Sequence, residues 1–300
     1  MPFSYVLKSK ISEYIDPSDA RAANLSVAGR EQGICRLTSI NLLKRMESSV
    51  YSFRATVERI LNIIRGTISL IDDFKNHKTS SAPCEEVVPQ ADDFDADDQN
   101  AELFAVGREF KIDLANMDYV KWQRLLQDDA DHLNMLLQEL QGIDPSHDAK
   151  LKTLFDLIDA KITNPRTPGN RKILIFTAFS DTAEYLYKHV SKFVQDKFQL
   201  HTALVTGSID GRTTIPNFHC DLDHILMAFS PQSKGRDIIS PDDHNDIDIL
   251  IATDCISEGQ NLQDCDYLIN YDIHWNPVRI IQRFGRIDRI GSRNEYIQLV

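Results

Sequence analysis

Long apolar runs are absent from this chain of 300 residues. No stretch approaches the length of about 20 residues that a membrane-spanning helix needs, and Met1-Pro2-Phe3 does not begin a signal peptide. We therefore expect a cytoplasmic protein. The hydrophobic share of 42% and the charged share of 26% are typical of a globular chain, whose length suits one large domain or two ordinary ones.

Cysteine is scarce, with five residues in the chain and no C-x-x-C pair among them. Neither a disulfide framework nor a zinc-binding motif is therefore expected. His219, Cys220 and His224 lie close together in the sequence, and we interpret them as a chance cluster. We predict no metal site from this pattern.

Two glycine-rich nucleotide-binding motifs are also missing. No G-x-G-x-x-G follows any predicted strand, which argues against a free-standing Rossmann-type nucleotide enzyme. No G-x-x-x-x-G-K-[ST] occurs either, so the chain lacks the loop that cradles nucleotide phosphates in P-loop enzymes.

Positive charge is in short supply, because the net charge is −12. This balance argues against a basic surface spread over the whole protein for binding nucleic acid. Eight acidic residues and no Lys or Arg lie between Glu85 and Glu102, and removing these eight negative charges leaves −4. Between Tyr271 and Arg293, by contrast, there are five arginines and two aspartates. Any contact with nucleic acid must therefore come from a local patch.

The first half of the chain is predicted to be helical. Apolar residues recur every three or four positions from Leu37 to Phe74, which predicts one amphipathic helix of about ten turns with Gly66 as a weak point. The polar and acidic stretch near 76–100 is predicted to be a mobile loop. A second helix runs from about Tyr119 to Gly142, and Asp144-Pro145-Ser146 marks a boundary. We assign residues 1–145 to an all-α accessory region without chemistry of its own.

Residues 146–300 show a strand–helix alternation that predicts an α/β domain with a parallel sheet covered by helices. We expect Ser180-Asp181-Thr182 to cap the helix after the first strand. The predicted strands are Lys172–Thr177, Leu200–Thr206, Ile249–Ala252, Tyr267–Tyr271 and Tyr296–Val300.

The densest group of candidate functional residues follows the fourth predicted strand, in the spacing Q-R-x-G-R-x-x-R from Gln282 to Arg289. We predict a helix here, opened by Asn276-Pro277, because Pro is favoured in a first helical turn. In such a helix Arg286 and Arg289 would lie on one face. Two guanidinium groups on one face can clamp a polyphosphate, and the alternative is a solvated basic surface.

Several of these segments together resemble a known family. ATDCISEGQNLQ followed by WNPVRIIQRFGRIDRIG resembles motifs V and VI of superfamily-two helicases, in the Swi/Snf and RapA-like branch. ILIFTAFSDTAEYL resembles motif IV, and ALVTGSIDGR resembles the next strand and loop. LLKRMESSV is similar to a segment between the two motor lobes of bacterial members. The resemblance implies that residues 146–300 form the second RecA-like lobe, with the P-loop NTPase type of fold.

The resemblance also implies roles for individual residues. Arg286 and Arg289 would be arginine fingers that act on the transferring γ-phosphoryl group, with Gln282 beside the phosphates or motif V. The residues implied in nucleotide binding are Gly259, Asn261, Asp254, Arg286 and Arg289. Asp254 has an equally good alternative role as the cap of a following helix. The residues implied in nucleic-acid binding are Thr177, Gly207, Ser208, Thr253 and Trp275, although Trp275 is more often a packing anchor in such a setting.

The resemblance implies ATP and Mg²⁺ as cofactors, bound mainly by a first lobe whose phosphate loop and D-E-x-H carboxylates are missing here. The expected partners are this first lobe and a nucleic acid, with DNA favoured over RNA. We therefore expect the chain to be the C-terminal motor lobe of an ATP-dependent helicase or translocase and a fragment of a longer protein. The alternative is an ATP-independent scaffold derived from such a lobe.

We predict that the chain alone hydrolyses ATP no faster than background, because the phosphate loop and the magnesium-binding carboxylates are both absent from its sequence. Phosphate release measured with and without DNA tests this. Robust turnover by the purified chain would reveal a complete site that the motifs do not show.

Overall fold

The computed structural model of the chain describes residues 3–11, 27–77, 83–85, 111–207, 210–256, 260–273, 276–292 and 294–300. The chain divides into two compact units, the first formed by Met1–Met46 and Phe53–Gly142 and the second by Glu47–Ser52 and Ile143–Val300. Within the described ranges, no helix is long and apolar enough to cross a membrane.

In the part of the chain that the structure describes, the first unit contains three α-helices and one short pair of strands. The helices are α1 (Val27–Ser48), α2 (Val50–His77) and α3 (Tyr119–Gln141). The antiparallel strands are β1 (Pro83–Glu85) and β2 (Lys111–Asp113). Two apolar clusters form its core, and their members include Ile71, Ile112, Leu114, Trp122, Val57, Leu61 and Ala130.

The long helix predicted from Leu37 to Phe74 is in fact two helices, and this prediction was wrong in detail. The break falls at Ser49, whereas Gly66 lies inside α2. Ser49 is the N-cap of α2, because its Oγ accepts a hydrogen bond from the backbone N–H of Ser52 at 3.1 Å. The backbone of an N-cap residue is not helical, so α1 ends before Ser49. Of the acidic loop predicted near 76–100, residues 78–82 and 86–100 lie outside the described residues.

The second unit contains a six-stranded sheet in the order β5-β4-β6-β3-β7-β8. Five strands are parallel, as predicted, and β5 pairs antiparallel with β4 at one edge. The sequence analysis missed β5 because two residues are too few for a periodic pattern. The strands are β3 (Ile173–Phe176), β4 (Thr202–Val205), β5 (Arg212–Thr213), β6 (Ile249–Ala252), β7 (Tyr267–Asn270) and β8 (Gln298–Leu299).

Apolar residues cover both faces of this sheet, because successive side chains of a strand point to opposite faces. Ile173 and Ile175 belong to one core cluster, and Leu174 and Phe176 belong to the other. This arrangement explains why β3 is a continuous apolar run in the sequence. The helices of the unit are α4 (Ala149–Thr163), α5 (Ser180–Phe198), α6 (Leu222–Phe229), α7 (Arg236–Ile239) and α8 (Pro277–Phe284).

The carboxyl ends of the central strands lie in line. Phe176 at the end of β3 pairs with both Ala252 of β6 and Asn270 of β7, and Val205 of β4 also pairs with Ala252. The residues that follow these four strands therefore emerge along one edge of the sheet, which is the edge where α/β sheets bind ligands.

Helix α8 begins as predicted and ends earlier than predicted. Asn276 caps it by accepting from the N–H of Val278 at 3.0 Å, and Pro277 occupies its first turn. The helix ends at Phe284, and the chain turns so that Ile287 is completely buried under the sheet. Arg286 and Arg289 therefore lie beyond the helix, and the argument that placed them on one helical face was wrong.

The burial of Ile287 can be tested against its neighbour Ile290, which is fully exposed. We expect Ile287→Ala to lower the free energy of unfolding by about 2–5 kcal/mol, since it leaves a cavity in the core. Ile290→Ala is the matched control and should change it by less than about 0.5 kcal/mol. Urea denaturation of both variants measures the difference, and equal effects would contradict the inward turn.

Candidate nucleotide-facing site

Four polar side chains gather at the carboxyl edge of the sheet. Asp254 follows β6, Asn270 ends β7, Asp272 lies two residues beyond it, and Arg283 reaches them from α8. The residues come from distant parts of the sequence and meet because the parallel strands end in line.

Arg283 is the centre of this group and is only 2% exposed. Its Nε and Nη2 donate to the two carboxylate oxygens of Asp254 at 2.7 and 2.9 Å, which is a bidentate ion pair. Its Nη1 donates to Asn270 Oδ1 at 3.1 Å and to the carbonyl oxygen of Asp272 at 3.3 Å. The guanidinium carbon also lies 5.1 Å from the centre of the Phe176 ring. One side chain therefore fastens α8 to the ends of three strands.

This ion pair changes the interpretation of Asp254. Both of its carboxylate oxygens accept hydrogen bonds from Arg283, and no following helix is capped by it in the described structure. Neither the nucleotide contact nor the capping role expected from the sequence fits this geometry. Asp254 instead positions Arg283, because a buried guanidinium needs a charged partner.

The other motif residues line a small cleft beside this pair. Gln282 and Arg286 border it together with Asp254, Arg279 and Arg283. Arg286 lies in the turn after α8, where its N–H donates to the Arg283 carbonyl at 3.1 Å. Arg289 is exposed further along the same turn. Three arginines thus border one cleft.

The loop that resembles motif V is joined directly to this turn. The N–H of Leu262 donates to the carbonyl oxygen of Arg286 at 3.0 Å, and Leu262 is fully buried. Asn261 makes a local turn, accepting from the N–H of Gln263 at 3.3 Å. Gly259 lies outside the described residues. The structure therefore brings the backbone next to Asn261 into contact with the backbone of Arg286, although the two residues are far apart in the sequence.

The threonines expected to contact nucleic acid are buried. Thr177 and Thr253 are both 0% exposed, and the Thr177 hydroxyl donates to Asp272 Oδ2 at 2.6 Å. A phosphate cannot reach these hydroxyls in this structure, so the expected direct contact is corrected to an internal role for Thr177. Gly207 is exposed at the end of β4, while Ser208 and Trp275 lie outside the described residues.

The sequence analysis overlooked two residues of this site, Arg283 and Asp272. Both carried a usable signal. Arg283 is a charged residue within the motif. Asp272 follows β7 by two residues, just as Asp254 follows β6 by two. The rule that the ends of parallel strands meet at one edge could have paired them.

The histidine cluster far from this edge has an explanation within its own segment. His219, Asp221 and His224 place their ligand atoms within 4.8 Å of one another, and all three are exposed. Asp221 caps α6 by accepting from the N–H of His224, and this bond holds the pKa of Asp221 below its usual range. Because a helix cap accounts for the geometry, we assign no metal to it.

The Arg283–Asp254 pair gives a prediction about stability. Arg283→Met leaves the Asp254 carboxylate without its charged partner, so we expect a loss of about 3–5 kcal/mol in the free energy of unfolding. Arg283→Lys should recover only part of this, because an ammonium cannot make the bidentate contact. Arg279→Met on the same helix is the control, since Arg279 takes no part in these bonds. Chemical denaturation of the three variants would contradict the assignment if Arg283→Met and Arg279→Met were equally stable.

Comparison with known families identifies the fold that holds this site. Residues 149–291 match the family described as the helicase conserved C-terminal domain. This range includes β3 to β7, α8 and the arginine-bearing turn, and it lies entirely in the second unit.

Individual relatives agree with this match. An uncharacterized ATP-dependent helicase, YqhH of Bacillus subtilis, is 53% identical over 49 residues, which are 16% of this chain and 9% of the relative. A putative ATP-dependent DNA helicase, fml2 of Schizosaccharomyces pombe, is 26% identical over 174 residues, or 57% of this chain and 20% of the relative. The RNA polymerase-associated protein RapA of Pectobacterium atrosepticum is 42% identical over 52 residues, or 17% of this chain and 5% of the relative.

The chain spans a fifth or less of the length of each of these relatives. The match to RapA agrees with the branch that the sequence motifs indicate. Residues 149–291, which are just under half of the chain, are therefore similar to the conserved C-terminal domain of ATP-dependent helicases.

Proposed function

We propose that this chain supplies the second-lobe half of the ATP site in an ATP-dependent helicase or nucleic-acid translocase. The observation that supports this most is the buried Arg283–Asp254 pair, which fixes the arginine-bearing turn against the ends of the strands. A surface arginine patch would need no such anchor. The anchor costs desolvation of two charges, and it is explained if the neighbouring arginines must be held in place.

In this proposal Arg286 and Arg289 are the groups that stabilise negative charge on a transferring phosphoryl group. A guanidinium presents a planar fork of N–H donors that matches phosphate oxygens. The main chain of Arg286 is held by two backbone bonds, one to Arg283 and one from Leu262, so the position of its Cα is fixed before it acts. Gln282 borders the same cleft and would contact the phosphates or the motif V loop, and Gly259 and Asn261 would lie near the ribose.

The donor chemistry at this edge fits a polyphosphate better than a metal ion. The cleft is bordered by arginines, and both oxygens of its carboxylate, Asp254, are engaged by Arg283. Mg²⁺ prefers carboxylate oxygens and phosphates, so it would be held by ATP and by carboxylates of a separate first lobe. When bound, ATP and Mg²⁺ would supply the phosphoryl group and its charge neutralisation. This lobe would supply guanidinium donors, and we therefore expect it to be inactive alone.

For nucleic acid, the exposed backbone at Gly207, with Ser208 beside it, is the contact we retain from the sequence analysis. Backbone N–H groups bind phosphate oxygens without reading sequence, which suits a motor that moves along any strand. Names of both DNA and RNA helicases occur among the relatives. We favour DNA because of the resemblance to the Swi/Snf and RapA-like branch.

A scaffold without ATP chemistry is the second candidate function. It would need the arginine turn only for packing. The exposure of Arg289 speaks against that role, since a side chain that serves packing is normally buried. The two functions predict different effects on ATP turnover when the guanidinium of Arg289 is removed.

In the complete helicase, joined to a phosphate-binding lobe, we expect Arg289→Ala to lower kcat for ATP about 10³- to 10⁵-fold. Binding of ATP and nucleic acid should be largely preserved, because a finger acts on charge that develops in the transition state. Arg286→Ala should behave alike, and the double variant should be little worse than either single variant. Steady-state ATPase assays and equilibrium binding measure these effects.

Lys192→Ala on α5 is the control for this experiment, because Lys192 is an exposed basic residue that does not border the cleft. Its effect on kcat should be small. Near-normal turnover by Arg289→Ala would make the scaffold the better description.

A further inference from the structure

The carboxylate of Asp272 makes several contacts within the second unit besides the bond that its carbonyl oxygen accepts from Arg283. Its side chain is 9% exposed. Its Oδ2 accepts from the Ser48 hydroxyl at 2.8 Å, the Thr177 hydroxyl at 2.6 Å and the backbone N–H of Ala178 at 3.1 Å. Its Oδ1 accepts from Lys150 Nζ at 2.9 Å. One buried carboxylate thus binds four donors from three parts of the chain.

The contact to Ser48 belongs to a chain of hydroxyl groups whose direction can be worked out. Each hydroxyl has one proton, and Ser48 gives its proton to Asp272. In the contact of 2.7 Å between Ser48 and Thr182, Thr182 must therefore be the donor. In the contact of 2.9 Å between Thr182 and Ser49, the donor must then be Ser49. Phe179 precedes α5 and no side chain caps this helix, so the predicted cap Ser180-Asp181-Thr182 was wrong, and all three residues lie inside the helix.

Lys150 binds the same segment from the other side. Its Nζ donates to the carbonyl oxygens of Glu47 at 3.2 Å and Ser48 at 3.0 Å, which are the last two residues of α1 in this unit. An ammonium group is favourable at a helix C-terminus because the terminal carbonyls lack partners within the helix. The break between α1 and α2 is therefore fixed by an acid, a base and three hydroxyl groups.

The backbone of Asp272 makes the connection to the arginine turn. Its carbonyl oxygen accepts from Arg283 Nη1 at 3.3 Å, while its carboxylate binds Ser48. The same residue thus contacts the break between α1 and α2 with its side chain and the buried arginine of α8 with its main chain.

We propose that Asp272 is a positioning residue that couples the Ser48-Ser49 break to Arg283, so that docking of the break stabilises α8 and the turn bearing Arg286 and Arg289. Residues 47–52 and 277–284 belong to the same compact unit, so the coupling lies within it. The consequence for ATP turnover rests on the function proposed above. The coupling itself does not.

Amide hydrogen exchange of the 300-residue chain, read by mass spectrometry, tests the coupling in Ser48→Ala. We expect exchange to become faster, by roughly ten-fold or more, both in residues 47–52 and in residues 277–284, because a hydrogen bond to a charged group is lost. Thr182→Val removes only the middle hydroxyl and should give the same pattern with a smaller increase. Ser39→Ala is the matched control, since the Ser39 hydroxyl donates to the Cys35 carbonyl oxygen of its own helix, and exchange in 277–284 should not change.

Faster exchange limited to residues 47–52 would overturn the coupling. If Ser48→Ala does not fold, Thr182→Val decides by the same criterion. In the complete helicase, Ser48→Ala should also lower kcat with little change in KM for ATP. The two proposals fail separately: normal turnover by Arg289→Ala removes the arginine-finger function and leaves the exchange result standing, whereas exchange confined to the break removes the coupling alone.

Discussion

A single buried guanidinium constrains the whole functional edge of this domain. Arg283 joins α8 to β6 through Asp254 and to β7 through Asn270 and Asp272, and it lies over Phe176 of β3. Only an arginine can satisfy these partners together, because its five donors lie in one plane and its charge persists when it is buried. The turn that begins after Phe284 follows directly on this contact, so its position depends on Arg283.

Asp272 gives that anchor a second connection. Most charged groups of the domain lie at its surface, where an ion pair contributes little to stability. The ion pairs that matter for stability are the buried ones, since a buried charge that loses its partner destabilises the fold. Arg283 with Asp254 is of this kind, and in the pair of Lys150 with Asp272 the carboxylate is buried while the Lys150 side chain is 40% exposed. The two pairs join the end of β7 to α8 on one side and to α4 on the other.

Much of the second unit could be predicted from the sequence, because its four central strands are short apolar runs. Ile249–Ala252 was placed to the residue. The site was harder, since burial and partner choice depend on tertiary contacts that no local pattern records. Thr177 and Asp254 stand where the motifs suggested, yet both turn their polar atoms inward to Asp272 and Arg283. Ser49 broke a helix that periodicity alone made continuous, because its hydroxyl competes with the backbone for hydrogen bonds.

At one edge the sheet ends in β5, a strand of only two residues. A sheet edge is a template for another molecule, since a strand from a neighbouring chain can bond to each unpaired N–H and C=O. Two residues offer too few such groups for a lasting attachment, and the antiparallel direction of β5 interrupts the parallel order on its side. The domain thus limits edge-to-edge aggregation at this edge, while its four-residue apolar strands lie between β5 and β8.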